Sequence, residues 1–272
     1  MAITAADVKK LRDQTGAGMM DAKKALTEAD GDFEKATELL RISGVAKAAK
    51  RSDREASNGL VAAAGKSMIQ LGAETDFVAK NEEFMNLATQ IAEAIDAAEV
   101  DNLEDAKKVK LADGQSVEEA IAALSAKIGE KLELVNVARF TGSTHTYLHR
   151  RSSDLPPQVG VLVEFEGTDD DEPLIHSVAL QIASMSPTYV HSGEVQDETI
   201  ENEKRIAAAA AREEGKPEHI IDRIVEGRIK DFFKDSVLHD QPAISDDKTT
   251  VGQLLNDAGV VVTRFVRFSA GS

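Results

Sequence analysis

The order of the predicted elements is the feature that most limits how this chain can fold. A pair of short β-prone runs, a helix with one apolar face and a further strand follow one another, and this order occurs twice. The first set comprises 59–73, a helix from Asn81 and a strand ending at Arg139–Phe140; the second comprises 144–148, 159–165, a helix containing Ile175 to Ile182 and 260–268. This arrangement predicts an α+β fold in which antiparallel strands pack with helices.

The helix in each set is located by the spacing of its apolar residues. Asn81 is a favoured N-cap residue, and the apolar positions after it share one helix face. They are Phe84, Leu87, Ala88, Ile91 and Ile95. In the second set the inward positions are predicted to be Ile175, Val178, Ala179 and Ile182. Ser116 and Glu119 predict the start of another helix, which ends near Gly129.

Two short sequence matches suggest that the second set repeats the first. Ala88–Ala92 reads ATQIA and Ala179–Ala183 reads ALQIA, while Arg139–Thr141 resembles Arg267–Ser269. Matches of this length also arise by chance, so internal duplication and coincidence both stay open.

The second half also contains an extra pair of predicted helices. These run from Asp197 to Glu214 and from Pro217 to Phe233, joined by Gly215–Lys216. Such a short connection predicts antiparallel neighbours. We therefore expect a protruding helical hairpin at about 197–233.

The first 54 residues differ from the rest in charge and in predicted structure. They contain 11 basic and 9 acidic side chains, whereas the whole chain has a net charge of −16. Helix-breaking Gly16–Gly18 and Gly31–Asp32 divide the segment into three short helices, with a capping box expected at Thr4 and Asp7. We predict three regions: 1–54 as an N-terminal module and linker, 55–140 as one core subdomain, and 141–272 as a second.

Composition excludes several kinds of activity. The chain contains no cysteine, so disulfides, thiolate nucleophiles and cysteine-ligated metal sites are absent. The excess of acidic residues argues against nonspecific binding to nucleic acid or acidic lipid. No apolar run approaches the ~20 residues that a membrane helix requires, and no secretory signal pattern is present. These features predict a cytoplasmic protein with no nucleic-acid or membrane partner.

Three motifs suggest cofactor or metal chemistry, and each has a simpler interpretation. Gly65–Lys66–Ser67 resembles part of a phosphate loop, but Leu60 occupies a position that requires glycine, so a plain turn is favoured. His145 and His149 could share a strand face, but no third ligand is evident. The acidic run 169–172 lacks the spacing of a calcium loop and is interpreted as a solvated turn before a helix near Pro173. We predict no metal, no cofactor and no catalytic group.

Two apolar features have competing interpretations. Phe77 lies in the loop between the predicted hairpin and the helix at Asn81, where its ring could form a wedge beside Asp76. Spacing alone favours the alternative, in which Phe77 packs beneath its own loop. Met19 and Met20 are adjacent and must occupy different helix faces, so one could pack inward while the other offers an adaptable contact.

Six segments of the sequence resemble motifs of the bacterial elongation factor Ts family. The matching segments are Val8–Arg12, Thr15–Asp21, Lys23–Leu26, Thr75–Ala79, Val225–Arg228 and Thr250–Leu255. The resemblance covers essentially the whole chain. It implies a guanine-nucleotide exchange factor for the GTPase elongation factor Tu, with an N-terminal three-helix module like a ubiquitin-associated (UBA) domain and a two-subdomain core.

The resemblance also implies roles for particular residues. Contacts with the nucleotide domain of the GTPase are assigned to Lys9, Arg12, Met19 and Met20. The resemblance implies that the loop of Thr75, Asp76, Phe77 and Val78 disturbs the magnesium site of the bound nucleotide. Ile128–Gly129 matches a further contact motif, and the second subdomain reaches another domain of the partner. The hairpin at 197–233 resembles a protruding coiled-coil or dimerisation element.

Three departures from the family pattern affect the second half. Gln181 stands where some members place a partner-contacting histidine, and we predict a partner contact there. Gln241–Pro242–Ala243 lacks the usual phenylalanine after the proline, and the chain ends soon after Phe268. Nucleotide exchange makes no covalent bond, which agrees with the absence of a catalytic motif. The alternatives are a UBA-like adaptor with a passive acidic scaffold and, less well supported, an enzyme of unknown chemistry.

Overall fold

The computed structural model describes residues 3–49 and 53–271. Residues 50–52 of the predicted linker, the side chains of residues 45–49 and the side chain of Asp169 in the acidic run lie outside the described part. The described residues belong to two compact units. The first unit is drawn from Met1–Arg139, Arg150–Val159 and Phe268–Ser272, and the second from Phe140–His149 and Gly160–Arg267. The division into regions at residues 54 and 140 stays a prediction.

The N-terminal segment forms the three predicted helices. They are α1 (Ala5–Thr15), α2 (Met19–Glu28) and α3 (Phe33–Ala49). The capping box at Thr4 and Asp7 is present, and Gly16 ends α1 with a positive φ of 68°, which glycine adopts without steric cost. A small apolar core joins the helices through Val8, Leu11, Ala22, Ala25, Leu26, Ala29 and Ala36.

The rest of the first unit combines a three-stranded sheet with helices. In chain order the elements are β1 (Asn58–Ala64), β2 (Ser67–Ala73), α4 (Asp76–Ala79), α5 (Glu82–Ala98), α6 (Leu103–Ala106), α7 (Val117–Ile128) and β3 (Leu132–Arg139). The strands are antiparallel in the order β1-β2-β3. The predicted turn at Gly65–Lys66 connects β1 to β2, with Ala64 paired to Ser67. All five predicted core positions of α5 are buried in one cluster with the sheet.

The second unit repeats this plan with an insertion. In chain order its elements are β4 (Ser143–His149), β5 (Val159–Glu166), α8 (Glu172–Met185), α9 (Asp197–Glu213), α10 (Glu218–Ser236), β6 (Pro242–Ala243), β7 (Asp246–Thr250), α11 (Val251–Ala258) and β8 (Val261–Ser269). The larger sheet has the order β4-β5-β8. The four predicted inward residues of α8 are buried. The predicted hairpin is present as α9 and α10, with Gly215 at a φ of 72° between them.

The repeated sequence segments occupy corresponding places in the two sets of elements. Ala88–Ala92 lies in α5, and Ala179–Ala183 lies in α8. Arg139 ends β3, and Arg267 lies near the end of β8. Each set has two strands, then helices, then a closing strand. The correspondence supports internal duplication over coincidence, and the mixture of helices with antiparallel strands confirms the α+β class.

Candidate functional site

The segment after β2 turns the chain through one short helix before α5 begins. β2 ends at Ala73, and α4 contains only the four residues Asp76–Ala79. Asn81 then caps α5 by accepting hydrogen bonds from the backbone N–H groups of Glu83 and Phe84, at 2.9 and 3.2 Å. The loop is therefore bounded on one side by a buried strand and on the other by a capped helix.

Phe77 is the most exposed large apolar side chain of this loop. Its side chain lies on the surface with a relative exposure of 78%, whereas Val78 and Ala79 next to it are buried. On one helical turn, consecutive side chains point in different directions, so Val78 reaches the core while Phe77 faces solvent. The interpretation of Phe77 as a residue packed beneath its own loop is therefore wrong.

Asp76 lies beside Phe77 with a loosely paired carboxylate. The side chain is 47% exposed, and Lys80 Nζ lies 3.9 Å from Asp76 Oδ2. Lys80 makes a closer contact with Asp154, at 2.7 Å. Its hydrogen bond to Asp154 raises the pKa of Lys80, and the reciprocal bond lowers the pKa of Asp154 to about 2. Since Lys80 pairs mainly with Asp154, the Asp76 carboxylate is held only weakly by Lys80.

The base of the loop is fixed by Glu130, a residue that the motifs did not single out. Thr75 donates its backbone N–H to Glu130 Oε2 at 3.1 Å and its hydroxyl to Glu130 Oε1 at 2.9 Å. In the reverse direction, the N–H of Lys131 donates to Glu74 Oε1 at 2.6 Å. Charge-assisted hydrogen bonds of this kind are stronger than neutral ones. The two segments, 74–75 and 130–131, are thus joined by two carboxylates used crosswise.

Ile128 and Gly129 lie directly before this anchor. Ile128 is the last residue of α7 and packs, partly buried, against the first unit's core. Gly129 has a φ of 90°, and among the described residues no atom beyond its own neighbours in the chain lies within 4 Å of where a Cβ would stand. The hydroxyl of Ser125 donates to the Glu130 carbonyl at 2.6 Å, which holds the end of α7 to the anchor.

The predicted docking residues of the N-terminal helices are all on the surface. Met19 and Met20 are 47% and 77% exposed, so the expectation that one of them packs inward is wrong. Lys9 and Arg12 are also exposed, and Arg12 contacts Asp13 at 3.0 Å. Two adjacent methionines and two cations therefore face solvent on α1 and α2.

The turn between α1 and α2 contacts the end of α7. A Cβ at Gly16 would lie 3.0 Å from Lys127 Cδ, and Lys127 Nζ in turn pairs with Glu83 Oε2 at 2.6 Å. Lys127 immediately precedes Ile128–Gly129 in the chain. One turn of α7 thus lies next to the α1–α2 turn, which precedes Met19, and connects it with Ile128–Gly129 and the Thr75–Val78 loop.

Gln181 is in the second unit and is buried, with 2% exposure. Its Nε2 donates to Gln241 Oε1 at 3.0 Å and to the Pro242 carbonyl at 3.1 Å, while its Oε1 accepts from the Ile244 N–H at 2.9 Å. A side chain in this position is not available to a partner at the surface. We therefore attribute to Gln181 the positioning of the 241–244 segment rather than the direct contact expected from sequence. Its place three residues after Val178, on the inward face of α8, was the available signal.

The glycine–lysine–serine motif forms a turn whose donors are already used. Asp96 Oδ1 accepts the backbone N–H of Lys66 at 2.9 Å and the hydroxyl of Ser67 at 3.0 Å. An internal carboxylate therefore occupies the position that a phosphate group would take. The interpretation of this motif as a plain turn is confirmed.

His145 and His149 on β4 contact different side chains rather than forming the metal-binding pair that their spacing allows. His145 Nε2 lies 3.1 Å from His176 Nδ1 on α8, and His149 Nδ1 lies 3.0 Å from the Tyr147 hydroxyl. Burial and the neighbouring His176 lower the pKa of His145. Within residues 3–49 and 53–271, no three potential ligand side chains are grouped so as to hold a metal ion.

Exposed apolar and charged side chains on a loop and on two helices are typical of a protein that acts by binding another protein. Comparison with known proteins narrows this class. The model of the family "Elongation factor TS" matches residues 74–272. The chain belongs to the elongation factor Ts family, and hence to the elongation factors of protein biosynthesis.

Individual relatives match along nearly their full lengths. The elongation factor Ts of Cutibacterium acnes is 65% identical over 271 residues, covering 100% of both chains. The elongation factors Ts of Mycolicibacterium vanbaalenii and Mycolicibacterium smegmatis are 56% and 55% identical, each covering 98% of both chains. Among the described residues, no helix is both long and apolar enough to cross a membrane.

Proposed function

We propose that this chain is a guanine-nucleotide exchange factor for the GTPase elongation factor Tu. It binds the GDP-loaded GTPase, promotes GDP release and stays bound to the nucleotide-free form until GTP enters. The observation that supports this proposal most directly is that Phe77 is 78% exposed on a short helix whose base is fixed by Glu130. Membership of the elongation factor Ts family supports the same role.

Phe77 and Asp76 act as a wedge near the magnesium and nucleotide site. Burying a phenylalanine side chain stabilises a complex by ~1.5–3 kcal/mol, and this gain is available only where a partner offers an apolar cleft. If the cleft opens only in the nucleotide-free form, the gain favours that form by about tenfold or more. Asp76 adds a carboxylate that competes for groups otherwise paired with the nucleotide or its cation.

Exchange then follows from linkage between two binding equilibria. A factor that binds the empty GTPase more tightly than the loaded one weakens nucleotide binding by the same ratio. No bond is made or broken by the factor, so it needs neither a catalytic group nor a cofactor of its own. GTP reverses the sequence by binding the empty site and weakening the factor's contact.

The exposed residues of the first unit form the docking surface for the nucleotide domain. Met19 and Met20 supply adaptable apolar contacts, and Lys9 and Arg12 supply positive charge. Ile128–Gly129 exposes its backbone at the end of α7. Because Gly129 has no side chain, the partner can approach this backbone closely. These residues determine affinity, while the Thr75–Val78 loop determines the rate of release.

We assign three regions to three tasks. Residues 1–54 dock the partner, 55–140 carry the exchange loop, and 141–272 reach another domain of the partner. The helical hairpin at 197–233 exposes Ile206 at 49%, which supports a role in forming a homodimer. The partner is a cytoplasmic protein, and neither nucleic acid nor membrane is bound directly.

Stopped-flow release of fluorescent GDP from the GTPase tests the proposal. The wild-type chain should accelerate release, and Phe77→Ala should accelerate it at least about tenfold less at saturating concentration. Val261→Ala is the matched control, since Val261 is also an exposed apolar residue at 47%. Equal acceleration by Phe77→Ala and wild type would exclude the wedge and favour the adaptor alternative.

A further inference from the structure

We propose that Glu130 is a positioning residue for the exchange loop. Its carboxylate holds Thr75 and thereby sets where Asp76 and Phe77 project. The inference rests on the proposed function of this loop, and it assigns part of the activity to a residue that presents no side chain to the nucleotide site.

The hydrogen bonds of Thr75 show why an external anchor is needed. Thr75 is the N-cap of α4, but its side chain makes no capping bond to the helix. The hydroxyl donates to Glu130 instead, at 2.9 Å to one carboxylate oxygen and 3.1 Å to the other. A helix of one turn has little stability of its own. The direction in which α4 starts is therefore set by Glu130.

Glu74, the residue before Thr75, completes the anchor by binding the segment that carries Glu130. Its side chain is only 18% exposed and accepts both the Lys131 N–H at 2.6 Å and Arg54 Nη1 at 3.1 Å. In addition, Asn58 Nδ2 donates to the Glu74 carbonyl at 2.8 Å. Rotation of the loop about its base would break several of these bonds together. The anchor thus gives Phe77 a defined position while leaving its ring free.

The position of Glu130 in the chain connects the anchor with a second predicted contact. Glu130 directly follows Ile128–Gly129, and the Ser125 hydroxyl holds its carbonyl to the last turn of α7. A partner that contacts Ile128–Gly129 therefore acts on the segment that holds Thr75. Docking at the end of α7 and wedge placement are coupled through one carboxylate.

Glu130→Ala removes the anchor, and Glu130→Gln retains one acceptor oxygen. In GDP release, Glu130→Ala should lower the maximal acceleration about tenfold, with the half-saturating concentration within about twofold of wild type. Glu130→Gln should fall between the two. Glu93→Ala is the control for loss of an exposed carboxylate on α5 and should match wild type. Thr75→Val, which replaces the hydroxyl with a methyl group, should reproduce part of the loss and serves if Glu130→Ala does not fold.

A double-mutant cycle with Phe77→Ala separates positioning from general stability. If Glu130 acts through the loop, adding Glu130→Ala to Phe77→Ala should change the maximal rate by less than about twofold. The inference would be overturned if the losses of maximal rate in Glu130→Ala and Phe77→Ala multiplied in the double variant, as they do for independent sites. It would also be overturned if both Glu130→Ala and Thr75→Val gave wild-type rates. Failure of the proposed function gives a different result. The Phe77→Ala variant alone would then accelerate GDP release from the GTPase as much as wild type does.

Discussion

Thr75 and Glu130 are 55 residues apart, and the carboxylate of Glu130 accepts both the backbone N–H and the hydroxyl of Thr75. This pair divides the loop into residues that hold it and residues that it presents. Thr75 and the buried Val78 fix its position, whereas the partly exposed Asp76 and the exposed Phe77 lie between them. The division predicts which substitutions affect folding and which affect function only.

Phe77→Ala should leave the stability of the folded chain almost unchanged. An exposed side chain makes few contacts to lose, and such substitutions usually change the free energy of unfolding by less than ~0.5 kcal/mol. Phe84→Ala is the contrasting variant, since Phe84 is fully buried on α5. It should cost about 3–5 kcal/mol. Urea denaturation followed by far-UV circular dichroism measures both, and a large loss for Phe77→Ala would show that its ring packs against the chain.

Gly129→Ala and Gly59→Ala should differ in severity although both positions have a positive φ. Gly129 has a φ of 90° with free space around it, so alanine meets only backbone strain of about 1–2 kcal/mol. Gly59 has a φ of 131°, and a Cβ there would lie 2.1 Å from the Leu71 carbonyl oxygen. Because β1 must then move away from β2, Gly59→Ala should be the more destabilising variant. Equal denaturation midpoints would contradict this distinction.

Elements with regular spacing could be predicted from the sequence. The apolar face of α5 and the capping boxes at Thr4 and Ser116 depend only on residues within a few positions of one another. The turn at Gly65–Lys66 follows from local backbone preference in the same way. These features are determined locally, so a single sequence contains the information needed to predict them.

The site depended on contacts that spacing does not reveal. Glu130 is separated from Thr75 in the chain by four helices, α4 to α7, and nothing in its neighbourhood identifies it as the anchor. Phe77 was ambiguous because a residue in a short loop can point either way, and the burial of Val78 decides the direction. Gln181 was interpreted by analogy with a surface contact, although its spacing on α8 placed it inward. Tertiary packing determined the outcome for Glu130 and Phe77, whereas the spacing on α8 already indicated the inward position of Gln181.

Stability of the second unit should fall in acid because of Glu164. Its carboxylate accepts from Arg264 Nε at 2.7 Å and from the N–H groups of Gly142 and Thr141 at 2.7 and 3.0 Å. The bond to Arg264, together with those two backbone bonds, lowers the pKa of Glu164 from 4.5 to about 2. A carboxylate whose pKa is lowered by folding stabilises the folded state above its unfolded pKa, and this stabilisation is lost as the pH falls from about 4.5 towards 2.

Glu164→Gln should remove this contribution, about 3 kcal/mol at neutral pH. Both tyrosines of the chain, Tyr147 and Tyr189, lie in the second unit, so tyrosine fluorescence follows its unfolding alone. Urea midpoints between pH 2 and 7 should decline less steeply for the variant than for wild type below pH ~4.5. Parallel curves would show that other carboxylates cause the acid sensitivity.

Gln181→Leu tests whether this residue acts through structure or through direct contact. The substitution removes the hydrogen bonds that Gln181 makes with the Ile244 N–H, the Pro242 carbonyl and Gln241 Oε1. Buried polar groups left unsatisfied cost ~1–3 kcal/mol each when water does not replace the bond, so we expect a total loss of about 2–4 kcal/mol by tyrosine fluorescence. Gln196→Leu, at an exposed position whose side chain makes no capping bond, should cost less than ~0.5 kcal/mol.

Gln181→Leu should also keep its affinity for the GTPase. At a temperature where Gln181→Leu is folded, its half-saturating concentration in GDP release should stay within about threefold of wild type. Unchanged stability with a large loss of affinity would instead restore Gln181 as a contact residue, and would require its side chain to leave the interior on binding.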